Sequence, residues 1–188
     1  QMDWLVQQGW RTISPTDLAD YFAGQPLPPR SLMLTIDDGY KEVYQVAHPV
    51  LQRTGLRPVL FLITDYSKHS GYLSWDQLRE LADEGYVIGS HGCDHSDLTG
   101  LDAHEVLRQI TESKTILEQE VGITVDVFSY PYGSYNNAII ATLVETGYRT
   151  AFSINPTIYQ RPGLPYLLSR YNVPYDMTLE QFAALLPD

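Results

Sequence analysis

Apolar and polar positions along the 188 residues switch between two periods. Short runs of apolar residues, mostly β-branched or aromatic, fall at Leu32–Ile36, Pro58–Ile63, Tyr86–Ser90, Val125–Tyr130 and Arg149–Ile154, with a weaker sixth at Leu167–Val173. These predict strands. Pro58 fits only the first position of its strand, because it has no N–H to give to a ladder. The intervening stretches have the helical period and legible ends. Ser14-Pro15 with Asp17, Ser74 with Gln77, Asp102 with Glu105 and Thr178 with Gln181 mark helix starts. Gly55, Gly85, Gly122 and Gly147 mark the stops. Met2, Leu5 and Val6 ahead of Gly9 have the pattern of the last turns of an amphipathic helix. The chain opens on Gln1 rather than Met, so truncation at the N-terminus is expected.

Strands alternating with helices predict βα units on a parallel sheet, with right-handed crossovers. An open doubly wound sheet and a barrel both satisfy this. The chain has no G-x-G-x-x-G and no phosphate-loop lysine motif. The expectation is therefore a single α/β domain over residues 1–188, a distorted or incomplete (β/α) barrel. Three polar clusters follow three different strands: Asp37-Asp38, His91, and Pro131-Tyr132-Gly133. All sit at C-terminal strand ends, the face that carries active sites in parallel α/β architectures.

Composition narrows the partners. Twelve basic and 23 acidic residues give a net charge of -11, which argues against nucleic acid. An acidic surface tolerates a neutral or cationic polymer. No apolar run approaches the roughly 18 residues of a membrane span, and a monomer is expected. A single cysteine, Cys93, excludes an internal disulfide. Fourteen Tyr and three Trp suit sugar rings, though they suit any half-buried position equally well.

Two adjacent carboxylates at the end of a buried strand repel each other unless something neutralises them. A divalent cation is the simplest candidate. His91 and His95, four apart, offer two imidazoles to one side of a turn. Two His and one carboxylate make a facial ligand set suited to catalytic Zn²⁺, with Co²⁺, Ni²⁺ and Fe²⁺ as alternatives. One Asp then holds the cation and the other is free to act as a base. The bland alternative is an Asp pair capping the turn before Gly39.

Thr35–Gly39 resembles the first motif of the polysaccharide deacetylases, the NodB-like carbohydrate esterase family four. Ser90–Leu98, with His91 and His95 in it, resembles the second motif. Phe128–Gly133 resembles the third, in the form found in deacetylases of biofilm poly-β-1,6-N-acetylglucosamine. Met2–Ser14, Tyr40–Leu51 and Tyr72–Leu81 are also similar to that branch. The resemblance implies that Asp37 is the catalytic base and that Asp38, His91 and His95 bind one metal ion. It implies that the Tyr132 N–H meets the oxyanion, and that Tyr130, Pro131 and Tyr132 contribute to the substrate groove. It further implies removal of N-acetyl groups from an extracellular or cell-surface polymer. Peptidoglycan or chitin is the rival substrate, and a non-catalytic polysaccharide-binding module the rival class. Two departures stand out. Ser129 occupies the place where many relatives carry an Arg that orients the base. No His follows His104, so the late general acid of many relatives is missing. In the biofilm-polymer branch that acid lies upstream of the part matching Gln1–Gly9.

The remaining candidates have plainer readings. Cys93 is expected to be a small buried hydrophobe. Asp94 either orients an imidazole or caps a turn. His48, next to Pro49 in an apolar stretch, reads as a satisfied core or boundary residue. Trp75, Tyr135 and Asn136 lie near the presumed active face, with Asn136 placed to start a helix.

Overall fold

The computed structural model describes residues 1–187. Strand β1 (Arg11–Thr12) pairs in parallel with β2 (Ser31–Leu32). After Met33-Leu34 the chain continues as β3 (Thr35–Ile36), which opens a second sheet with β4 (Val59–Leu62), β5 (Val87–Ser90), β6 (Val127–Ser129) and β7 (Thr150–Phe152). These five lie in sequence order and every neighbouring pair is parallel. A doubly wound sheet reverses its order at a switch point, whereas a barrel walks one way. The architecture is thus the expected distorted (β/α) barrel, a curled half-barrel. β4 is buried along its whole length, and its Phe61, with Phe128 of β6 and Phe152 of β7, is among the largest buried side chains.

The barrel does not close. Beyond β7 there is one parallel bridge, Phe152 to Leu168, in place of the expected sixth strand. Among the described residues Leu168 donates to Ala151 O and accepts from Ser153 N–H, while on the other edge of this segment Ser169 pairs with the Gln160 side chain rather than with a strand. Along that seam runs an apolar cavity of about 380 Å³, lined by Leu18, Leu32, Leu34, Phe152, Phe182 and Leu186 among others. The expected strand Leu32–Ile36 is also interrupted, because β2 and β3 pair with different partners on either side of Met33-Leu34.

Helices α1 (Met2–Gln7), α2 (Pro15–Phe22), α3 (His48–Thr54), α4 (Trp75–Asp83), α5 (Ala103–Val121), α6 (Asn137–Glu145) and α7 (Leu179–Ala183) surround the sheet. Their starts follow the sequence closely. Ser14, Ser74 and Thr178 each form a complete capping box, and Asp102 and Asn136 cap α5 and α6. Gly55 and Gly122 end α3 and α5 in the left-handed conformation. Ahead of α3, Val43–Ala47 winds as a π-helical turn, with the His48 N–H on Val43 O. Pro49 has no N–H, which loosens the ladder there. In α5, Val106, Gln109, Ile110, Ser113, Leu117 and Val121 form the buried stripe. Its two polar members reach the end of β5 and the loop after it. Gln109 Oε1 accepts the Cys93 N–H at 2.8 Å, and the Ser113 hydroxyl lies 2.7 Å from that of Ser90.

Candidate functional site

Three strand ends converge on one mouth of the half-barrel. β3 runs out at Ile36 and the chain turns at once. Asp38 takes φ 70° and Gly39 φ 76°, and the Gly39 N–H reaches back to Asp37 O at 2.9 Å. The left-handed φ favours glycine at position 39, and a Cβ there would also press on Leu62 Cδ1 at 2.4 Å. β5 delivers His91, only 2% exposed, and the bend after it carries His95 at φ 66°. After β6, Pro131–Gly133 form a single 3₁₀ turn in which Tyr132 has φ 57°. The described residues hold four non-glycine residues of positive φ, and Asp38, His95 and Tyr132 are three of them. Left-handed backbone at non-glycine residues costs free energy and concentrates at sites that use the strain.

The side chains meet. His91 Nε2 and His95 Nε2 each lie 3.7 Å from Asp38 Oδ1, and the two rings are 4.8 Å apart. One ligand atom from each of the three falls within 4.8 Å of the others. Separations near 3.7 Å are too long for hydrogen bonds and suit donors that share one cation, with metal–ligand bonds of about 2.0–2.2 Å. The Nδ1–H of His91 donates to the Ser129 carbonyl at 2.7 Å, which leaves the Nε2 lone pair aimed at Asp38. Burial holds the His91 imidazole below its usual range, so the neutral, ligating form is favoured. The three residues therefore fit a catalytic transition-metal ion with open coordination positions.

Asp37 belongs to the same cluster but has a different partner. Its Oδ1 accepts from Arg170 Nη1 at 2.6 Å, while its Oδ2 lies 3.8 Å from His91 Nε2. The second guanidinium nitrogen of Arg170 donates to Ser129 Oγ at 2.8 Å. The guanidinium also lies over the rings of Phe61 and Phe152. Ser129, which breaks the pattern of many relatives, thus receives an Arg arriving from another part of the chain. Sequence reasoning missed Arg170. Its one signal was a lone basic residue in the middle of the weak strand Leu167–Val173.

The aromatic expectations divide. Tyr132 is 61% exposed, packs its ring 4.6 Å from that of His95, and makes no hydrogen bond through its N–H among the described residues. Tyr130 does not line a groove. It is 0% exposed, with its hydroxyl on Tyr166 O, because it shares the strand face of buried Phe128. Pro131 is buried as well and serves to shape the turn. Gly133 is forced, since a Cβ there would lie 2.8 Å from the Ile154 nitrogen. On the side of Asp38, Tyr40 and Tyr72 stack at 5.0 Å. Cys93 is buried, burial pushes its thiol up to about 11, and it is not among the ligand atoms. Asp94 caps its own turn through the Ser96 N–H at 2.9 Å. Trp75 packs against the core, and Asn136 caps α6.

A family model described as polysaccharide deacetylase matches residues 24–151. The chain belongs to the polysaccharide deacetylase family. This family member is 30% identical over 186 residues to the protein YxkH of Bacillus subtilis (strain 168), covering 98% of this chain and 67% of that one. It is 23% identical over 227 residues to the poly-beta-1,6-N-acetyl-D-glucosamine N-deacetylase of Escherichia coli (strain K12), covering 97% of this chain and 34% of that one. Among solved structures, the Streptococcus pyogenes deacetylase PplD in complex with acetate superposes with a TM-score of 0.94. It shares 20% identity over 100% of this chain and 84% of that one, which establishes the shared deacetylase fold.

Proposed function

We propose that this chain hydrolyses the N-acetyl groups of a poly-β-1,6-N-acetylglucosamine, the exopolysaccharide of biofilms. The observation that carries the reading is the division of the two carboxylates. Asp38 faces two imidazoles at 3.7 Å, and Asp37 faces a guanidinium at 2.6 Å. We read the first as a ligand and the second as a base. Asp38, His91 and His95 would hold a divalent cation, for which zinc is the proposed identity. When bound, such an ion polarises the amide carbonyl and acidifies a water. Asp37 takes the proton from the attacking water, with Arg170 holding its carboxylate in place. The free Tyr132 N–H is the donor we assign to the negative charge that develops on the carbonyl oxygen. As the tetrahedral intermediate collapses, the proton taken up by Asp37 passes to the leaving nitrogen, the C–N bond breaks, and acetate and the amine are released. Exposed Tyr132 and the stacked Tyr40 and Tyr72 offer flat faces to sugar rings.

The β-1,6 linkage is supported by the form of Phe128–Gly133 and by the Escherichia coli relative. A polymer substrate places the enzyme outside the cell or at its surface, and we propose that it acts as a monomer. The test is acetate release from β-1,6-linked N-acetylglucosamine oligomers, with added metal and with chelator, beside β-1,4-linked oligomers. Metal-dependent release from the β-1,6 series is expected. Release from the β-1,4 series alone would move the substrate to chitin or peptidoglycan. Binding of oligomers with no release would favour a polysaccharide-binding module. Asp37→Asn is expected to keep the metal and lose at least about 10²-fold in turnover. Full turnover in that variant would overturn the base assignment.

A further inference from the structure

A second cluster of metal-type donors sits in the helical layer between α3 and α4. Tyr44, His48 and Gln52 recur every four residues on one face of the π turn and α3. Glu80 on α4 and Glu84, which caps that helix's C-terminus, face them. The His48 residue is only 7% exposed. Its Nδ1 is 3.0 Å from the Tyr86 hydroxyl, and its ring stacks on Tyr44 at 5.3 Å. That leaves Nε2 aimed at the carboxylates, 3.6 Å from Glu84 Oε1, and it makes no hydrogen bond among the described residues. One ligand atom each from His48, Glu80 and Glu84 falls within 4.8 Å of the others.

The cluster repeats the geometry of the Asp38–His91–His95 group. There the imidazole-to-carboxylate separation is 3.7 Å; here it is 3.6 Å. Each donor residue also has an outer partner that fixes it, as metal ligands usually do. Tyr86 holds His48, the Tyr44 hydroxyl donates to Glu80 Oε2 at 2.6 Å, and Gln52 Nε2 donates to Glu84 Oε1 at 3.3 Å. Neither carboxylate has a lysine or arginine ion-pair partner among the described residues. The nearby Arg57 instead spends its Nε on the Glu84 backbone carbonyl and lies over the Tyr86 ring. Two like charges four apart on a helix repel each other until a cation neutralises them.

We propose that His48, Glu80 and Glu84 form a second divalent transition-metal site. One imidazole and two carboxylates suit Zn²⁺ and its neighbours, with water completing the shell. The ion would staple α3 to α4, and the site does not rest on the deacetylase reading. The test measures bound zinc by mass spectrometry after dialysis of the folded protein against a zinc buffer. Two equivalents are expected in the wild type and one in His91→Ala/His95→Ala. Adding His48→Gln to that double variant should remove the remaining equivalent. A double variant that holds no zinc overturns the proposal, as does a residual equivalent that survives His48→Gln. If His48→Gln fails to fold, exposed Glu80→Gln is read instead. It should weaken the residual site at least about tenfold, and unchanged affinity there overturns the proposal equally.

Discussion

The 2.6 Å ion pair between Asp37 and Arg170 joins residues 133 positions apart, and it underlies the division of labour proposed for the site. An aspartate flanked by another aspartate and by two imidazoles could fall in with the ligand set. The guanidinium draws it aside. Arg170 is 13% exposed through its side chain and pinned by Ser129 Oγ, so its fork is fixed before any substrate arrives. A rigid planar fork does this better than a flexible ammonium. Arg170→Ala is therefore expected to lower kcat by about 100-fold while KM and bound metal stay near wild type. Arg170→Lys should recover part of the loss, because it restores the charge without the bond to Ser129. Steady-state kinetics on an acetylated oligomer, with metal content measured alongside, would check this. A rise in KM alone would recast Arg170 as a substrate contact.

Elements divide sharply into those the sequence makes legible and those it does not, and the dividing line is the range of the interaction. Ser14, Ser74, Asp102, Asn136 and Thr178 cap helices through atoms three residues away, so their motifs suffice. Asp37, Asp38 and His91 were legible because each follows a strand, and His95 because it stands four residues after His91. Arg170 was not, because its place depends on a single bridge between Leu168 and Phe152 at the edge of an unclosed barrel. Tyr130 was misplaced by its motif neighbours, although its parity with Phe128 carried the correct answer. The end of α5 shows how a local pattern sets a measurable pH response. Burial alone would raise the Glu118 carboxyl. The Val125 N–H, which it accepts at 3.0 Å, and Lys114 at 2.9 Å outweigh that and lower it. A carboxylate lowered on folding contributes stability above its unfolded value and loses it as pH falls through the folded one. Glu118→Gln should thus be less stable than wild type at pH 7. The two should converge as the medium is acidified below the ordinary carboxylate range. Urea titrations at pH 7 and at about pH 3 would show this, and a constant gap would remove the ionic part of the argument.

At the scale of the whole molecule, an open half-barrel needs something to hold its mouth in shape. A closed barrel has no edges; this one leaves β1 and the Leu168 segment unjoined and keeps a cavity of about 380 Å³ along the seam. The candidate ligands span that architecture. Asp38 follows β3 and His91 follows β5, with β4 between them. A cation held by both ties three adjacent strand ends together and binds the native state alone. It also offsets the strain of left-handed Asp38 and His95. With free metal at 100 times its Kd, the gain is about 2.7 kcal/mol. A domain of this size shifts by roughly 2–4 °C per kcal/mol, so chelation should lower Tm by about 5–11 °C. Calorimetry with and without chelator measures it. In His91→Ala/His95→Ala this part of the shift should vanish, and any remainder should disappear with His48→Gln. The Tm ledger thereby separates a metal that closes the mouth of the barrel from one that staples its outer helices. A wild-type Tm indifferent to chelator would mean that the strand ends are held by the protein alone.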